Sequence, residues 1–587
     1  METQIINILK KVIKDNYDLD LSEIKLENPP KKELGDFAFG CFVLSKELKK
    51  SPAMIASDLE LLLVEQDIID DVTAAGPYLN IKVSKTIFTD SFHEMYKHKD
   101  EFTKSDIGKG KTIVIDYIGS NVGKPLHIGH MCTPNQGQVL INLYKKLSYN
   151  VISDSHIGDW GIIFGKLITA YKLWGDEERL KFNAVDYLLE LYVKITAEAE
   201  NDSTLEQRTR DEFKLLSEGN NDSVQLWKKF TSYSIDAMNI QLGRLGVKPN
   251  FNIGESFYEG LGLPKIEEYP DLKWDMEFIV KELIKKSIAT QNDDNSVGVI
   301  FDDALKIPSC ILQKRDGTHG YLASDLAAIK YRMDNWNPEK IVYFIDMRQQ
   351  LHLKQAFIIA KKVGWVKEDT ELFHAYNGFI SLKDGAMSSR KGRIIKLDKL
   401  LDEAEDRAKK IILEKRDDIV GNELDELSKI IGIGAIKYGY LKKSRETDVI
   451  FDWDEFMSFE GNSGPYIQYA YVRARRILEN FYNKNVELSL EGTHIGKFEH
   501  SEEVELVKSI GEYGDILLKT ADTNMPHHLC TYTYDLTKKF NSFYNTVHIL
   551  NEENQENKII RLQLVELFTI VLKDSFEILG IQMPEKM

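Results

Sequence analysis

Cysteine is scarce: the 587 residues hold four (Cys41, Cys132, Cys310, Cys530), far apart and with no C-x-x-C pair. That argues against a disulfide framework or a structural zinc and fits a reducing compartment. No run of about 18 apolar residues occurs, so no membrane-spanning helix is expected. The first residues, Met1-Glu-Thr-Gln-Ile-Ile, lack a basic stretch followed by an apolar one. No secretory signal is therefore read, and the cytoplasm is the expected location. Positive charge is in deficit, with a net charge of −17 and a pI of about 5.4. This excludes indiscriminate nucleic-acid binding but leaves room for a local basic path along an RNA. Internal repeats and low-complexity tracts are missing too. What remains is an ordinary globular composition, 43% apolar and 29% charged, at a length that suggests about four domains.

Against that plain background stands His127-Ile128-Gly129-His130, within Gly119-Ser-Asn-Val-Gly-Lys-Pro-Leu-His-Ile-Gly-His130. Upstream, Lys111-Thr-Ile-Val-Ile-Asp-Tyr117 is a short β-branched run that reads as a buried parallel strand. Downstream, Ile128, Met131, Val139, Leu140, Leu143 and Leu147 have helical spacing. The two imidazoles thus fall at a strand-to-helix junction, where free N–H groups and the helix dipole favour an anion. Gly129 leaves no Cβ in the way of a base or phosphate, and Lys124 adds a mobile cation. Such a site suits ATP.

A triphosphate needs a second clamp. About 260 residues on, Gly385-Ala-Met-Ser-Ser-Arg-Lys-Gly392 combines flanking glycines, two hydroxyls and two adjacent cations after a predicted strand, Tyr376–Leu382. A loop of that make-up can close on phosphate oxygens. Alone it is an ordinary solvated turn; with the histidine motif it becomes specific.

The rest of the chain divides by rhythm. Residues 1–104 read as an α+β module, with an amphipathic opening helix (Ile5, Ile6, Leu9, Val12, Ile13), a helix from Pro52 to Leu63 and a strand in Gly76–Val83. Residues 105–385 alternate strand-like and helical stretches, which predicts a doubly wound parallel sheet. Its expected strands are 112–117, 150–154, 297–302, 309–313 and 341–346, with a helical insertion at about 175–245. Residues 386–450 hold the second motif and a connecting segment, and 451–587 have helical periodicity throughout. The expected fold is α/β: a Rossmann-like doubly wound catalytic domain with an N-terminal α+β module and a C-terminal all-α bundle.

The two motifs resemble the HIGH and KMSKS signatures of class I aminoacyl-tRNA synthetases. Over nearly the whole chain the sequence is most similar to the arginyl-tRNA synthetases. The resemblance is carried by Ser120–His130, His156-Ile-Gly-Asp-Trp-Gly161, Gly254-Glu-Ser-Phe-Tyr258 and Tyr321-Leu-Ala-Ser-Asp-Leu-Ala-Ala-Ile329. Arg348-Gln-Gln-Leu-His352, Phe459–Tyr466 and Leu579–Met587 extend it. It implies activation of L-arginine with ATP and Mg²⁺, transfer to tRNA(Arg), a monomer, and no dedicated metal cage. The attacking carboxylate is already an anion, so rate must come from alignment and phosphate charge stabilisation rather than from a base.

By that resemblance His127, Gly129 and His130 hold ATP, and Lys124 supports the transition state. Met387, Ser388, Arg390 and Lys391 form the mobile clamp. Guanidinium is a rigid five-donor fork that asks for acids and planar acceptors; the implied set is Asn121, Glu255, Tyr321, Asp325 and Gln349. Tyr321 and Asp325 are four apart, one helical turn. Asp325, just before Leu326-Ala-Ala-Ile329, also reads as an N-cap, and Glu255 also reads as a surface loop charge. Tyr466, Tyr469, Arg473 and Arg476 fall near one helical face and suit RNA; bundle tyrosines with surface arginines is the competing reading. The segment 526–544 is a second candidate for RNA contact. The N-terminal module is expected at the outer corner of the tRNA, or else is a structural cap.

The chain departs from the family pattern in three places. Ser389 stands where lysine is usual, a loss for which the lysine before the histidines, here Lys124, is held to compensate. Met131-Cys132-Thr133 replaces Leu-Arg-Ser, and Ile162-Ile163 replaces Thr-Gln. The rival readings are a class I enzyme for another amino acid, an inactive RNA-binding relative and a small-molecule nucleotidyltransferase. Two pocket acids, intact histidines and the large helical C-terminus speak against each in turn.

Overall fold

The computed structural model describes every residue except Met1, Ser22, Asn28, Glu65, Asp67, 262–271, Asp384, 387–394, 485–489 and 493–495. The chain folds into two compact units, one of residues 1–103, 473–514 and 535–572 and one of residues 104–472, 515–534 and 573–587. Among the described residues no helix is long and apolar enough to cross a membrane.

The larger unit is organised by a four-stranded sheet of β1 (Thr112–Asp116), β2 (Asn150–Asp154), β3 (Lys340–Tyr343) and β4 (Glu371–His374), in the order β4-β3-β1-β2. All three pairings are parallel. β1 lies inside the sheet with Ile113, Val114 and Ile115 buried, which is why its sequence is an unbroken apolar run rather than an alternating one. Helix α1 (Cys132–Lys146) links β1 to β2, α2 (Tyr321–Trp336) precedes β3, and α3 (Gln350–Lys362) links β3 to β4. Leu326, Ala327 and Ile329 of α2 and Leu353, Ala356 and Ile359 of α3 share one core with Val114, Ile341 and Tyr343 of the sheet. The chain leaves β1 toward β2 on one side and later builds β3 and β4 on the other. The switch point is therefore between the C-terminal ends of β1 and β3, where such sheets bind ligands.

Two expected strands take another place. Val297–Val299 and Cys310–Gln313 are strands, but they pair antiparallel with each other, and Val297–Val299 pairs antiparallel with Thr290–Gln291. The link between them is too short for the crossover of a dozen or more residues that parallel neighbours need. The fourth strand of the main sheet, β4, was not expected from sequence: Glu-Leu-Phe-His is a half-exposed edge with no apolar run. The strand expected over Tyr376–Leu382 is confined to Ile380–Leu382, paired with Val449–Phe451 and Gly385–Ala386. Asp325 lies inside α2, which begins at Tyr321 after Gly320, so its reading as an N-cap is corrected.

Between β2 and α2, helices Ile162–Trp174, Glu177–Phe182, Ala184–Ala199, Ser203–Ser217 and Asn221–Arg244 pack on one another. Beyond β4, Leu397–Lys415 lies against Gly421–Leu441 through Ala408, Ile412, Leu424, Leu427 and Ile431. The tail of the same unit is tied down: Gln468 Nε2 donates to the Gln582 carbonyl at 2.8 Å and Arg416 Nη1 to that of Met587 at 2.9 Å.

The smaller unit holds an antiparallel sheet in the order Leu26–Glu27, Phe37–Gly40, Tyr78–Val83, Ile69–Ala75. Helices Glu2–Tyr17, Phe42–Leu48, Pro52–Leu63 and Lys85–Lys97 accompany it, together with Ser501–Gly511 and parts of the last helices. Arg561 is buried in this unit against Glu503 at 2.6 Å.

Candidate active site

The histidine motif sits just past the C-terminal end of β1. His127 caps a 3₁₀ turn, Ile128–Met131, that runs into α1. Its Nδ1 accepts the Gly129 N–H at 3.0 Å, and His130 Nδ1 accepts the His127 N–H at 3.1 Å. A backbone N–H can only donate, so each neutral ring carries its proton on Nε2. Burial, with His127 and Lys124 adding to it, pushes His130 down to about 3, and burial also lowers His127. Two neutral rings, centroids 3.9 Å apart, therefore present Nε2–H donors rather than charge. Lys124 supplies the charge: it is exposed and, among the described residues, no carboxylate is ion-paired with it.

The chain emerging from the second motif returns to this turn. Ile128 donates to the Ile395 carbonyl and Leu397 to that of Leu126, both at 3.0 Å. Lys396 then anchors on Asp186 at 2.8 Å. Met387, Ser388, Ser389, Arg390 and Lys391 lie outside the described residues.

A second cluster forms where the segments after β2 and before Phe257 meet α2 and α3. Gly158 pairs with Asn121, and a Cβ on Gly158 would lie 2.2 Å from Asn121 Oδ1, so only glycine leaves that amide in place. Gly254 likewise lies against Asp159, whose buried carboxylate accepts from Ser256 N–H at 2.9 Å and Oγ at 2.6 Å. Burial raises Asp159 to about 6 against those bonds. Next in sequence, Glu255 is partly buried and forms no ion pair among the described residues. Burial, then the charges of Asp325, Asp159 and Glu259, raise its carboxyl well above the ordinary range. Tyr321 is 70% exposed at the start of α2, and burial and Glu255 raise its hydroxyl.

Asp325, one turn along α2, is held by two imidazoles: His352 Nε2 is 2.5 Å from Oδ2 and His156 Nε2 is 3.8 Å from Oδ1. Burial opposes its charge, but His352 and His156 outweigh burial and keep the carboxyl below its ordinary value. Glu255, Tyr321 and Asp325 are thus brought together by electrostatics, while Asn121 lies against Gly158, two residues after His156. Gln349 is exposed at the end of the turn Met347–Gln349, three residues before His352.

Beneath them is a fully buried charge triad. Arg332 Nη2 is 2.9 Å from Asp116 Oδ2 and 2.8 Å from Asp154 Oδ2. Asp116 Oδ1 accepts the His156 N–H at 3.4 Å and Asp154 Oδ1 the Ile253 N–H at 3.1 Å, so the triad orients both segments that enter the acidic cluster. Reasoning from sequence gave no role to His156, Asp159, Arg332 or His352. Acids at the ends of β1 and β2 were a readable signal; Arg332, mid-helix, had none.

Of the residues expected at RNA, Tyr466 and Tyr469 belong to the larger unit. Tyr466 lies 6.0 Å from the ring of Tyr534, and Tyr469 is exposed. Arg473 and Arg476 belong to the smaller unit, where Arg473 lies 5.0 Å over the Tyr544 ring and Arg476 is exposed. Cys132, at a departure from the family pattern, is buried, with its thiol pushed up to about 12; Ile162 is exposed. Among the described residues no group of three His, Cys, Asp or Glu is placed to hold a metal ion.

Residues 92–453 match the family described as class I (R) tRNA synthetases, catalytic domain. Residues 467–587 match the DALR anticodon binding domain, and residues 2–83 the arginyl tRNA synthetase N terminal domain. An arginine–tRNA ligase of Clostridium botulinum (strain Alaska E43 / Type E3) is 37% identical over 586 residues, 99% of each chain. That of Clostridium beijerinckii is 37% identical over 583 residues, 98% of this chain and 99% of the relative. The crystal structure of arginyl-tRNA synthetase from Plasmodium falciparum has a TM-score of 0.79 at 22% identity, covering 100% of this chain and 99% of that one. The Thermus thermophilus enzyme has 0.77 at 20%, covering 99% and 100%. At those identities the two structures establish the fold.

Proposed function

The chain belongs to the class I arginyl-tRNA synthetases, and on that ground we propose how its residues divide the reaction. The protein is an arginine–tRNA ligase. It activates L-arginine with ATP to arginyl-adenylate and pyrophosphate, then transfers the arginyl group to the 3′ end of tRNA(Arg), releasing AMP.

His127 and His130 donate Nε2–H bonds to the nucleotide, and Gly129 lets the adenine approach the backbone. Lys124 places a mobile charge on the phosphates and supports the transition state together with Ser388 and Lys391. Met387, Ser388 and Arg390 complete the nucleotide clamp. No side chain acts as a base, because arginine's carboxylate attacks the α-phosphorus as an anion; alignment and charge stabilisation supply the rate. Mg²⁺ arrives with the triphosphate, whose oxygens are its main ligands, and structural zinc has no part.

Glu255 and Asp325 grip the guanidinium, with Asn121, Tyr321 and Gln349 fixing the remainder of the amino acid. The observation that carries this reading is the acid pair itself. Two partly buried carboxylates lie within electrostatic reach of each other, with no lysine or arginine ion-paired to them among the described residues. Buried acids left unpaired by an uncharged analogue reject it strongly.

Residues 1–104 form the module that meets the tRNA's outer corner, 105–385 the catalytic domain with the insertion at about 175–245, 386–450 the second signature and connector, and 451–587 the anticodon-binding domain. Tyr466, Tyr469, Arg473 and Arg476 contact the RNA there. The enzyme works as a monomer in the cytoplasm.

Arginine-dependent ATP–pyrophosphate exchange, run with and without tRNA(Arg), tests the reading. Exchange with arginine but not with lysine or citrulline is expected. Exchange driven by another amino acid, or none from folded protein, would overturn it.

A further inference from the structure

Asp325 and Glu255 pose an electrostatic problem before any substrate arrives. Burial penalises charge on both, and the charge of Asp325 adds to the cost on Glu255. The triad arginine, Arg332, is committed to Asp116 and Asp154. The groups facing Asp325 are His352 from α3, His156 from the segment after β2, Glu255 from the segment before Phe257, Arg332 from its own helix and Tyr343 from β3. Of these, only His352 touches the carboxylate at hydrogen-bond distance, Nε2 to Oδ2 at 2.5 Å. His156 turns Nδ1 toward the Ile253 carbonyl at 3.2 Å. A carbonyl only accepts, so Nδ1 carries a proton there, and the Nε2 facing Asp325 lies 3.8 Å from Oδ1, beyond hydrogen-bond distance.

We propose that His352 stands in for the substrate's charge: its imidazolium is the counter-ion of Asp325 before arginine arrives, and arginine binding discharges it. The inference rests on Asp325 and Glu255 being the guanidinium's ligands. A guanidinium cannot lose its proton, whereas an imidazolium can. When both meet one carboxylate, His352 yields: the ring gives one N–H proton to solvent through its partly exposed side and stays as a neutral Nε2–H donor to Oδ2. Oδ1 is left for the substrate. Burial works against charge on His352, but the bond to Asp325 outweighs it and holds the ring's proton more firmly than in a free histidine. Glu255, whose carboxyl is raised, must also ionise to pair with the substrate and releases a proton of its own.

This makes His352 a positioning and specificity residue. It keeps Asp325 ionised and aimed, and only a permanent cation displaces its charge. The sign follows directly: protons compete with arginine for the pocket, so affinity for arginine rises with pH through the neutral range. A neutral isostere such as citrulline releases no proton from His352.

The test is calorimetric titration of L-arginine into the full chain with tRNA(Arg) present, in phosphate, PIPES and Tris at one pH. Their different ionisation enthalpies report protons released per arginine. The wild-type protein is expected to release between one and two, with the count falling as pH rises above neutrality. H352Q, which keeps a donor at the Nε2 position without a titrating charge, is expected to release up to one fewer and to lose that part of the pH dependence. Proton release equal in H352Q and wild type would overturn the proposal, and so would a binding enthalpy independent of buffer in wild type, which needs no variant to fold. D325N separates the two levels. If it leaves arginine affinity unchanged, the pocket assignment itself fails; if it weakens binding while H352Q releases as many protons as wild type, only the role of His352 fails.

Discussion

Replacing Arg332 with leucine should damage the catalytic unit more than any change to the exposed site residues. Its guanidinium is fully buried, 2.9 Å from Asp116 and 2.8 Å from Asp154, both buried as well. Leucine removes the only cation paired with either carboxylate among the described residues. Breaking a buried pair in this way costs about 3–5 kcal/mol, against a total stability on the order of 5–15 kcal/mol for a domain. The loss also reaches the site, since the same carboxylates hold the N–H groups of His156 and Ile253. Burial already raises Asp154, and Arg332 is the main influence opposing it; without Arg332 its carboxyl rises further. A folded-state acid above its unfolded value of about 3.9 holds a proton that the unfolded chain gives up, so its effect on stability worsens as pH increases. The R332L deficit is therefore larger at pH 8 than at pH 5.5. Urea unfolding followed by tryptophan fluorescence at both pH values measures it. D116N/D154N/R332L, which removes the stranded charges, should recover part of the loss. A deficit under about 1 kcal/mol at pH 7.5, or one that grows on acidification, would refute the reasoning.

Two further outcomes follow from the site. Lys124→Ala should slow pyrophosphate exchange by about 10²–10³-fold, the usual cost of removing one charge-stabilising donor from a transition state. Its melting temperature should stay that of wild type, because the side chain is exposed and unpaired among the described residues; an unchanged rate would remove Lys124 from the mechanism. Gly158→Ala puts a Cβ where Asn121 Oδ1 now sits and turns that amide away, so KM for arginine should rise about fivefold, one hydrogen bond's worth. KM for ATP should not move, and equal rises in both would show a general distortion instead.

Much of the nucleotide half of the site could be read without coordinates, because its signals are local. An unbroken β-branched run gave β1, apolar residues at helical spacing gave α1, and glycine with two histidines marked the turn between them. The acidic half was legible only in part. Glu255, Asp325 and Tyr321 came from resemblance, but the residues that govern their charge did not: His352 and Arg332 sit on helices among apolar neighbours with nothing nearby to announce a role.

Sequence alone, then, determined the elements whose cause lies within a turn or a strand's length: the inner strands, the helices and the histidine cap. Tertiary structure decided what depends on partners far along the chain. It turned Val297–Val299 and Cys310–Gln313 into an antiparallel sheet, added β4 as a half-exposed edge, and stitched Leu126 and Ile128 to Leu397 and Ile395. It also placed Arg332 between two acids 178 and 216 positions away and gave Asp325 its imidazole partner. Periodicity records which face of an element is buried; it carries no record of which other element buries it, and pairings between charges are set by that second choice.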